Sequence, residues 1–455
     1  MDSIKISGFK TYDIRGEYGV DFDAVTVYHV GRHLPGLLNA YRVLIGHDAR
    51  ESSAEIRDAL ARGLTEAGAD VDCMDLATTP MVYHFTAARG YDASVQITAS
   101  HNPAHHNGMK ISSKGAVPVG AESGLPELAA RVAANRLPPL AAQPGRFQKV
   151  EALEDFIRFL DTWKTDFSNL RFAVDCSDGV SSLVARRLFG DGTIYFNDTP
   201  DGRFPHHPPN PLEVENCHQL MEVVKKNKLD LGMIFDGDGD RVMFVDEHGE
   251  FVQPDYLIPI LADYFLRAHP GEPVVHDIRT SRGVIETLRD MGAQPVMWKV
   301  GHSFAKKKMR ETAAICGGEL AGHYYFRDFH WCDSAELAAL IILGEVARAK
   351  ARGLSFSQFL APIRRYATTG EVNFTISRKD EAIDTLTRAI LRRSGEPLAR
   401  MDFDGVRIEY KDWWVSLRKS NTESFVRLIV EATTPELLAE LRAEFEAVLK
   451  PFVAQ

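Results

Sequence analysis

The sequence predicts an α/β protein of three similar α/β domains with mixed, mostly parallel sheets, followed by a distinct C-terminal α+β domain. Three observations carry this reading. A strand, a polar loop, a helix, a glycine and a second strand recur in that order three times. After residue 365 the texture changes to alternating strands. And 455 residues are too many for one core, since a domain usually holds about 100–200.

In the first copy the strand from Arg42 ends at Asp48 and Ser52, a helical stretch runs to Gly68, and a new strand opens at Val71. The second starts at Arg171, turns through Asp175, Asp178 and Ser181, and reaches Gly190 before a strand at Ile194–Phe196. The third starts at Pro273, turns through Asp277 and Ser281, and reaches Gly292 before a strand at Pro295–Trp298. Each is the pattern of a βαβ unit, whose strands pair in parallel. One copy alone is ordinary, but three at domain spacing imply three related domains. In the last segment, residues 371–376, 405–410, 413–417 and 426–431 alternate like half-exposed strands, with helices expected over 379–392 and 434–449. The Pro-rich stretch Leu137–Gly145 reads as the first linker. The expected domains are 1–148, 149–250, 251–365 and 366–455.

Composition narrows the function. With 45% hydrophobic, 25% charged and 9% aromatic residues, the chain is neither disordered nor a fibrous or disulfide-stapled scaffold. The net charge of −10 repels phosphodiester backbones, so no nucleic-acid partner is expected. An anionic ligand would need local clusters of Arg and Lys. The N-terminus lacks the apolar core of a signal peptide, and no apolar run approaches the ~18 residues of a membrane span. Five scattered cysteines without a Cys-x-x-Cys pair read as reduced, buried thiols of a cytoplasmic protein.

The strongest local signal is Asp236-Gly237-Asp238-Gly239-Asp240-Arg241 after an apolar strand. Glycines let the backbone fold tightly enough to converge three carboxylates. Such a cluster repels itself without a cation, and oxygen-only ligands favour Mg²⁺ or Ca²⁺. Two rivals share the pattern. An EF-hand loop begins the same way, with Glu247 at its twelfth position, but its sixth position requires Gly and here is Arg241. A phosphatase of the haloacid-dehalogenase type would use Asp236 as nucleophile. A turn of solvated aspartates is the bland reading.

Thr98-Ala99-Ser100-His101-Asn102-Pro103 follows another strand and is expected to set Ser100 on an exposed turn, with Lys110 beyond it. A serine hydroxyl needs a base or a metal to act, and no Gly-x-Ser-x-Gly elbow surrounds this one. His105, His106, His206 and His207 read as loop histidines. Arg418 to Glu423, with Arg427 beyond, sets cationic forks, hydroxyls and an amide on a turn between strands, which suits a phosphate, although a polar hairpin reads alike. Glu319 and His323 sit on a glycine-flexed loop able to accept from hydroxyls and to move protons.

In this order, together with Phe9 to Gly16 at the N-terminus, these segments resemble the α-D-phosphohexomutase family across essentially the whole chain, most closely its phosphomannomutase/phosphoglucomutase branch. The resemblance implies four domains around a central cleft. It implies that Ser100 carries a phosphate, with Mg²⁺ held by Asp236, Asp238, Asp240 and the phosphoserine. Arg15, Lys110, His101, Arg241 and His323 would serve the transfer. Glu319 and His323 would hold the sugar's 3- and 4-hydroxyls, with Tyr12, Lys299 and His302 beside them. Arg418, Ser420, Asn421, Thr422 and Arg427 would grip the phosphate that is not transferred. The reaction implied is the reversible conversion of hexose 1- and 6-phosphates through a hexose 1,6-bisphosphate, which also primes the enzyme. Mannose and glucose differ at the 2-hydroxyl, which Glu319 and His323 would not read.

The sequence departs from the family pattern at Ala321, where Ser is usual, at Ser424, where Pro is common, and at Arg279, where relatives often place Lys. The alternatives are a phosphoglucosamine mutase, a magnesium-dependent sugar phosphatase, and a sugar-phosphate-binding regulator that keeps the fold.

Overall fold

Each repeat folds as its pattern dictates, because a strand followed by a crossover helix can return to the same sheet only in parallel. A computed structural model describes residues 4–419 and 425–453. In the first sheet Arg42–His47 is central, flanked in parallel by Asp70–Leu76 and Ala93–Ile97. The second sheet has Phe172–Asp175 between Ile194–Phe196 and Leu231–Phe235, again parallel. The third has Pro273–Asp277 between Gln294–Trp298 and Cys316–Gly318. The helices Ser53–Glu66, Ser182–Phe189 and Arg282–Asp290 are the crossovers.

Beyond this parallel centre every sheet turns antiparallel at the same point. Ala93–Ile97 pairs antiparallel with His106–Ser113, Leu231–Phe235 with Val242–Asp246, and Cys316–Gly318 with Tyr324–Phe326. The three connecting loops, residues 98–105, 236–241 and 319–323, are therefore one topological position used three times. They carry Ser100, the three aspartates and the Glu319–His323 pair. They leave the carboxyl ends of parallel strands, where α/β sheets place ligands.

The fourth sheet is wholly antiparallel, in the order Ala367–Thr368, Phe425–Ala432, Trp413–Lys419, Val406–Glu409, Ala399–Met401, with Val372–Thr375 also on Phe425–Ala432. Two helices, Lys379–Ser394 and Pro435–Leu449, accompany it, the second capped by Thr434, whose side chain accepts from the Leu437 N–H. The expectation of half-exposed strands fails for Trp413–Lys419. All but Lys419 are buried there, because Trp414 and Ile429 pack on Leu320 of the third domain while Trp413 faces the fourth domain's own core.

Burial knits the first three domains into one unit. A continuous apolar cluster runs from Tyr83 through Phe156 and Phe244 to Phe326 and the buried helix Ala335–Ala351. The fourth domain keeps a separate core around Trp413, Leu428 and Phe445. All five cysteines are buried and free. Among the described residues, no helix is long and apolar enough to cross a membrane.

Candidate active site

Ser100 adopts a left-handed conformation, φ 51°, that places its side chain inward. Two bonds support it: its N–H donates to Thr98 Oγ1 at 2.7 Å, and its carbonyl accepts from Arg50 Nη2 at 2.9 Å. The turn expected here is present, but it is not exposed. Ser100 is 1% accessible, because the aspartate loop of the second domain lies directly on it. Its Oγ donates to Asp236 Oδ2 at 2.7 Å, across 136 residues of chain.

Asp236, Asp238 and Asp240 are fully buried, with carboxylate oxygens within 4.8 Å of one another. Asp236 Oδ1 accepts from the Gly239 and Arg241 N–H groups at 3.0 and 3.2 Å, so its loop is self-supporting. Lys110 Nζ reaches Asp238 at 2.6 Å and also Asp240, and Thr79 Oγ1 donates to Asp238. Burial, then the charges of Asp238 and Asp240, push Asp236 well above the ordinary carboxylate range. Burial works against charge on Lys110, but the neighbouring carboxylates outweigh it and keep it an ammonium. The site fits a hard divalent cation. Its ligands are all oxygen, and Asp238 Oδ1 and Asp240 Oδ1 are buried without a hydrogen bond. The EF-hand alternative is excluded, since a hairpin of strands flanks the loop, and Glu247 instead accepts from Ser357.

Around this centre the other expected residues converge. Arg15 pairs with Asp13 and donates to the Ala99 carbonyl at 3.3 Å. His101 Nδ1 is 3.2 Å from Ser100 Oγ, and burial beside Arg241 and Arg15 drives it toward the neutral imidazole. Arg241 Nε donates to His323 Nε2 at 2.9 Å, while His323 Nδ1 lies 2.7 Å from Asp333 Oδ2. The His302 ring is 6.0 Å from both the His323 and Tyr12 rings. Glu319 accepts from the Gly301 N–H at 2.6 Å and from the Tyr325 hydroxyl. Lys299 stands at the edge, 5.2 Å from the Phe304 ring centre.

The fourth domain contributes Arg418 and Arg427, opposite each other on paired strands. Ser420, Asn421 and Thr422 lie outside the described residues. The two arginines join the rest through intermediaries, Arg418 by Asp404 to Val300 and Arg427 by Glu371 to Arg279. Arg279 is buried against Asp277, and Asp277 accepts from the Leu320 N–H at 2.9 Å.

Relatives carry the same organisation. Residues 7–137, 150–249 and 253–366 match alpha/beta/alpha domains I, II and III of phosphoglucomutase/phosphomannomutase, and residues 371–448 match its C-terminal domain. A phosphomannomutase of Escherichia coli is 34% identical over 97% of this chain and 98% of its own. The chain belongs to the α-D-phosphohexomutase family. Other members are similar along their full lengths. Phosphohexose mutases of Xanthomonas campestris are 34% identical over 96% of this chain and 98% of their own. A phosphoglucomutase/phosphomannomutase family protein of Burkholderia thailandensis superposes with a TM-score of 0.86 at 29% identity, over 98% of each chain. Like these phosphohexomutases, the chain is an enzyme, an intramolecular phosphotransferase.

Sequence reasoning did not single out Asp48, Arg50, Thr79, Asp333 or Asp404 in this phosphohexomutase. One signal was available for the first two. Asp48-x-Arg50 and Asp277-x-Arg279 occupy the same place in two repeats, after the central strand. Each aspartate holds its own arginine and one motif loop, Asp48 through Thr98 and Asp277 through Leu320.

Proposed function

We propose that this phosphohexomutase interconverts the 1- and 6-phosphates of mannose, glucose or both, by way of a phosphate on Ser100 and a hexose 1,6-bisphosphate. The observation that carries the proposal is the 2.7 Å bond between Ser100 Oγ and Asp236, which joins two motif loops from different domains at one point. In the first half-reaction the Oγ–phosphorus bond breaks and a bond forms from phosphorus to the free sugar hydroxyl. Lys110 gives a proton to the departing Oγ, and His323, with Asp333 on its Nδ1, receives the hydroxyl's proton at Nε2, which Arg241 vacates as it turns to the phosphoryl group. The bisphosphate then turns over, and the second half-reaction runs these transfers backwards, restoring both residues. Arg15, His101 and Arg241 line the reacting group, while Arg418 and Arg427, with Ser420, Asn421 and Thr422, hold the other phosphate. Glu319 and His323 grip hydroxyls common to both orientations, beside Tyr12, Lys299 and His302.

Asp236, Asp238 and Asp240 would hold Mg²⁺ together with the phosphoserine. When bound, the ion offsets charge on the transferring phosphoryl oxygens. The phosphatase alternative is disfavoured because the relatives similar along the whole chain are phosphomannomutases and phosphohexose mutases.

Intact-protein mass spectrometry with a coupled assay on mannose and glucose 1-phosphates tests the reading. A phosphate on Ser100, absent together with turnover in Ser100→Ala, is expected. Phosphate trapped on Asp236, or a strong preference for glucosamine 1-phosphate, would replace it.

A further inference from the structure

Arg418 and Arg427 are directly opposed on antiparallel strands, where like charges repel unless each meets an anion. Protein carboxylates supply the anions. Both oxygens of Asp404 accept from Arg418 Nη2 at 3.0 Å, and Glu371 Oε1 lies 3.2 Å from Arg427 Nη1. Asp404 has a second task. Its Oδ2 accepts the backbone N–H of Val300 at 2.7 Å, tying the fourth domain to the turn between the strand Gln294–Trp298 and the helix His302–Thr312.

That turn is held from two more directions. The Val300 carbonyl accepts from the Tyr12 hydroxyl of the first domain at 3.1 Å, and the Gly301 N–H donates to Glu319 at 2.6 Å. Gly301 has φ 124°, and a Cβ there would stand 2.7 Å from the Tyr12 ring, so the turn has no slack to give. Trp298, just before it, stacks on Phe403, just before Asp404, with ring centres 5.8 Å apart. Successive N–H groups of one rigid turn thus hold the carboxylate that fixes Arg418 and the carboxylate that faces the sugar.

We propose that Asp404 is a positioning residue that fixes Arg418 for the substrate's non-transferring phosphate by docking it on the Val300–Gly301 turn. The inference rests on the reading of Arg418 as a phosphate clamp. Held through Nη2, the guanidinium keeps Nε, buried without a hydrogen bond, for the ligand. Without Asp404 the side chain samples other rotamers, and substrate must order it on binding. Because Asp404 and Glu319 share the turn, the distance from phosphate clamp to hydroxyl grip is also set, which selects phosphosugars by the spacing of those two groups.

Steady-state kinetics of the full-length enzyme on mannose 1-phosphate tests this with Asp404→Asn, Arg418→Ala and the double variant. Asparagine keeps an acceptor for Val300 but removes the charge that holds Arg418. Asp404→Asn should raise KM about tenfold with kcat within about twofold, and the double variant should be no worse than Arg418→Ala alone. Asp404→Glu, which restores the charge, should recover most of the affinity. Inorganic phosphate, as a competitive inhibitor, should weaken in parallel with substrate. An unchanged KM in Asp404→Asn beside a raised KM in Arg418→Ala overturns the inference alone. So does a lowered melting temperature without a change in KM, or single effects that multiply in the double variant. An unchanged KM in Arg418→Ala overturns the clamp reading and this inference with it.

Discussion

The guanidinium of Arg50 donates to the carbonyls of Ser100, Asn102, Pro103 and His106, and its Nε is bound by Asp48, so one buried side chain sets the shape of the serine loop. Such full use of a donor set is what makes burying a charge tolerable. The aspartates across from it are not so balanced. Asp238→Asn should reduce metal-dependent turnover by at least about 100-fold while leaving the melting temperature near that of the parent, because it removes charge at the cation site and little packing. Near-normal activity saturating at the same magnesium concentration would refute the metal assignment. Glu336 poses a different question. It lies wholly buried with Oε1 unpaired, its carboxyl raised by burial from 4.5 to about 7. The folded state therefore binds this proton more tightly than the unfolded chain does. Stability is full below the unfolded value and declines by about 3 kcal/mol as pH rises through about 7. Glu336→Gln should flatten that decline in chemical denaturation between pH 5 and 8. An unaltered pH slope would show the group ionised in the fold.

At the scale of elements, the three motif loops meet because each ends a parallel strand at the same place in its sheet, and the serine and aspartate loops also touch backbone to backbone. A Cβ on Gly237 would stand 2.7 Å from the Ser100 carbonyl oxygen, closer than such atoms come. Gly237→Ala must part the serine loop from the aspartate loop. Displacements of about 1 Å between reacting groups cost on the order of 100-fold in rate. A kcat loss of that size with little change in KM is expected, and an unchanged kcat would mean that the two loops need not touch for turnover.

On the scale of the whole molecule, one apolar cluster spans the first three domains, beside each domain's own, whereas the fourth is joined largely by polar contacts. Arg407 is central among them. Wholly buried, it lies over the Trp414 ring and donates to the carbonyls of Ile278 and Thr280 at 2.8 and 2.7 Å. Arg407→Met should weaken the fourth domain's attachment by about 3 kcal/mol, since the two carbonyls and Glu409 lose their partner. Calorimetry should then resolve a separate, earlier transition for that domain, and a single unshifted transition would contradict the polar-joint reading.

Much of this was legible from the residues alone. The three βαβ repeats follow from hydropathy period and glycine stops, and element ends fell within a few residues of those expected, as at the strand Val372–Thr375 and the helix Pro435–Leu449. The clustering of three carboxylates in residues 236–241, which could hold a cation, follows from residue type and spacing. Other features depend on residues far apart in the chain. Ser100 looked exposed because its own strand and turn leave it so; the aspartate loop of another domain buries it. Asp333 and Asp404 sit in no motif, since an isolated aspartate acquires its role only from the His323 or Arg418 that folding brings beside it. Local periodicity and covalent stiffness act over a few residues and are written in order, so the chain by itself determined the elements, their repetition and the side chains that each loop carries. Hydrogen bonds and charges act on distance in space, so only the tertiary structure decided which loops share one centre and which buried carboxylates hold their arginines and histidines in place.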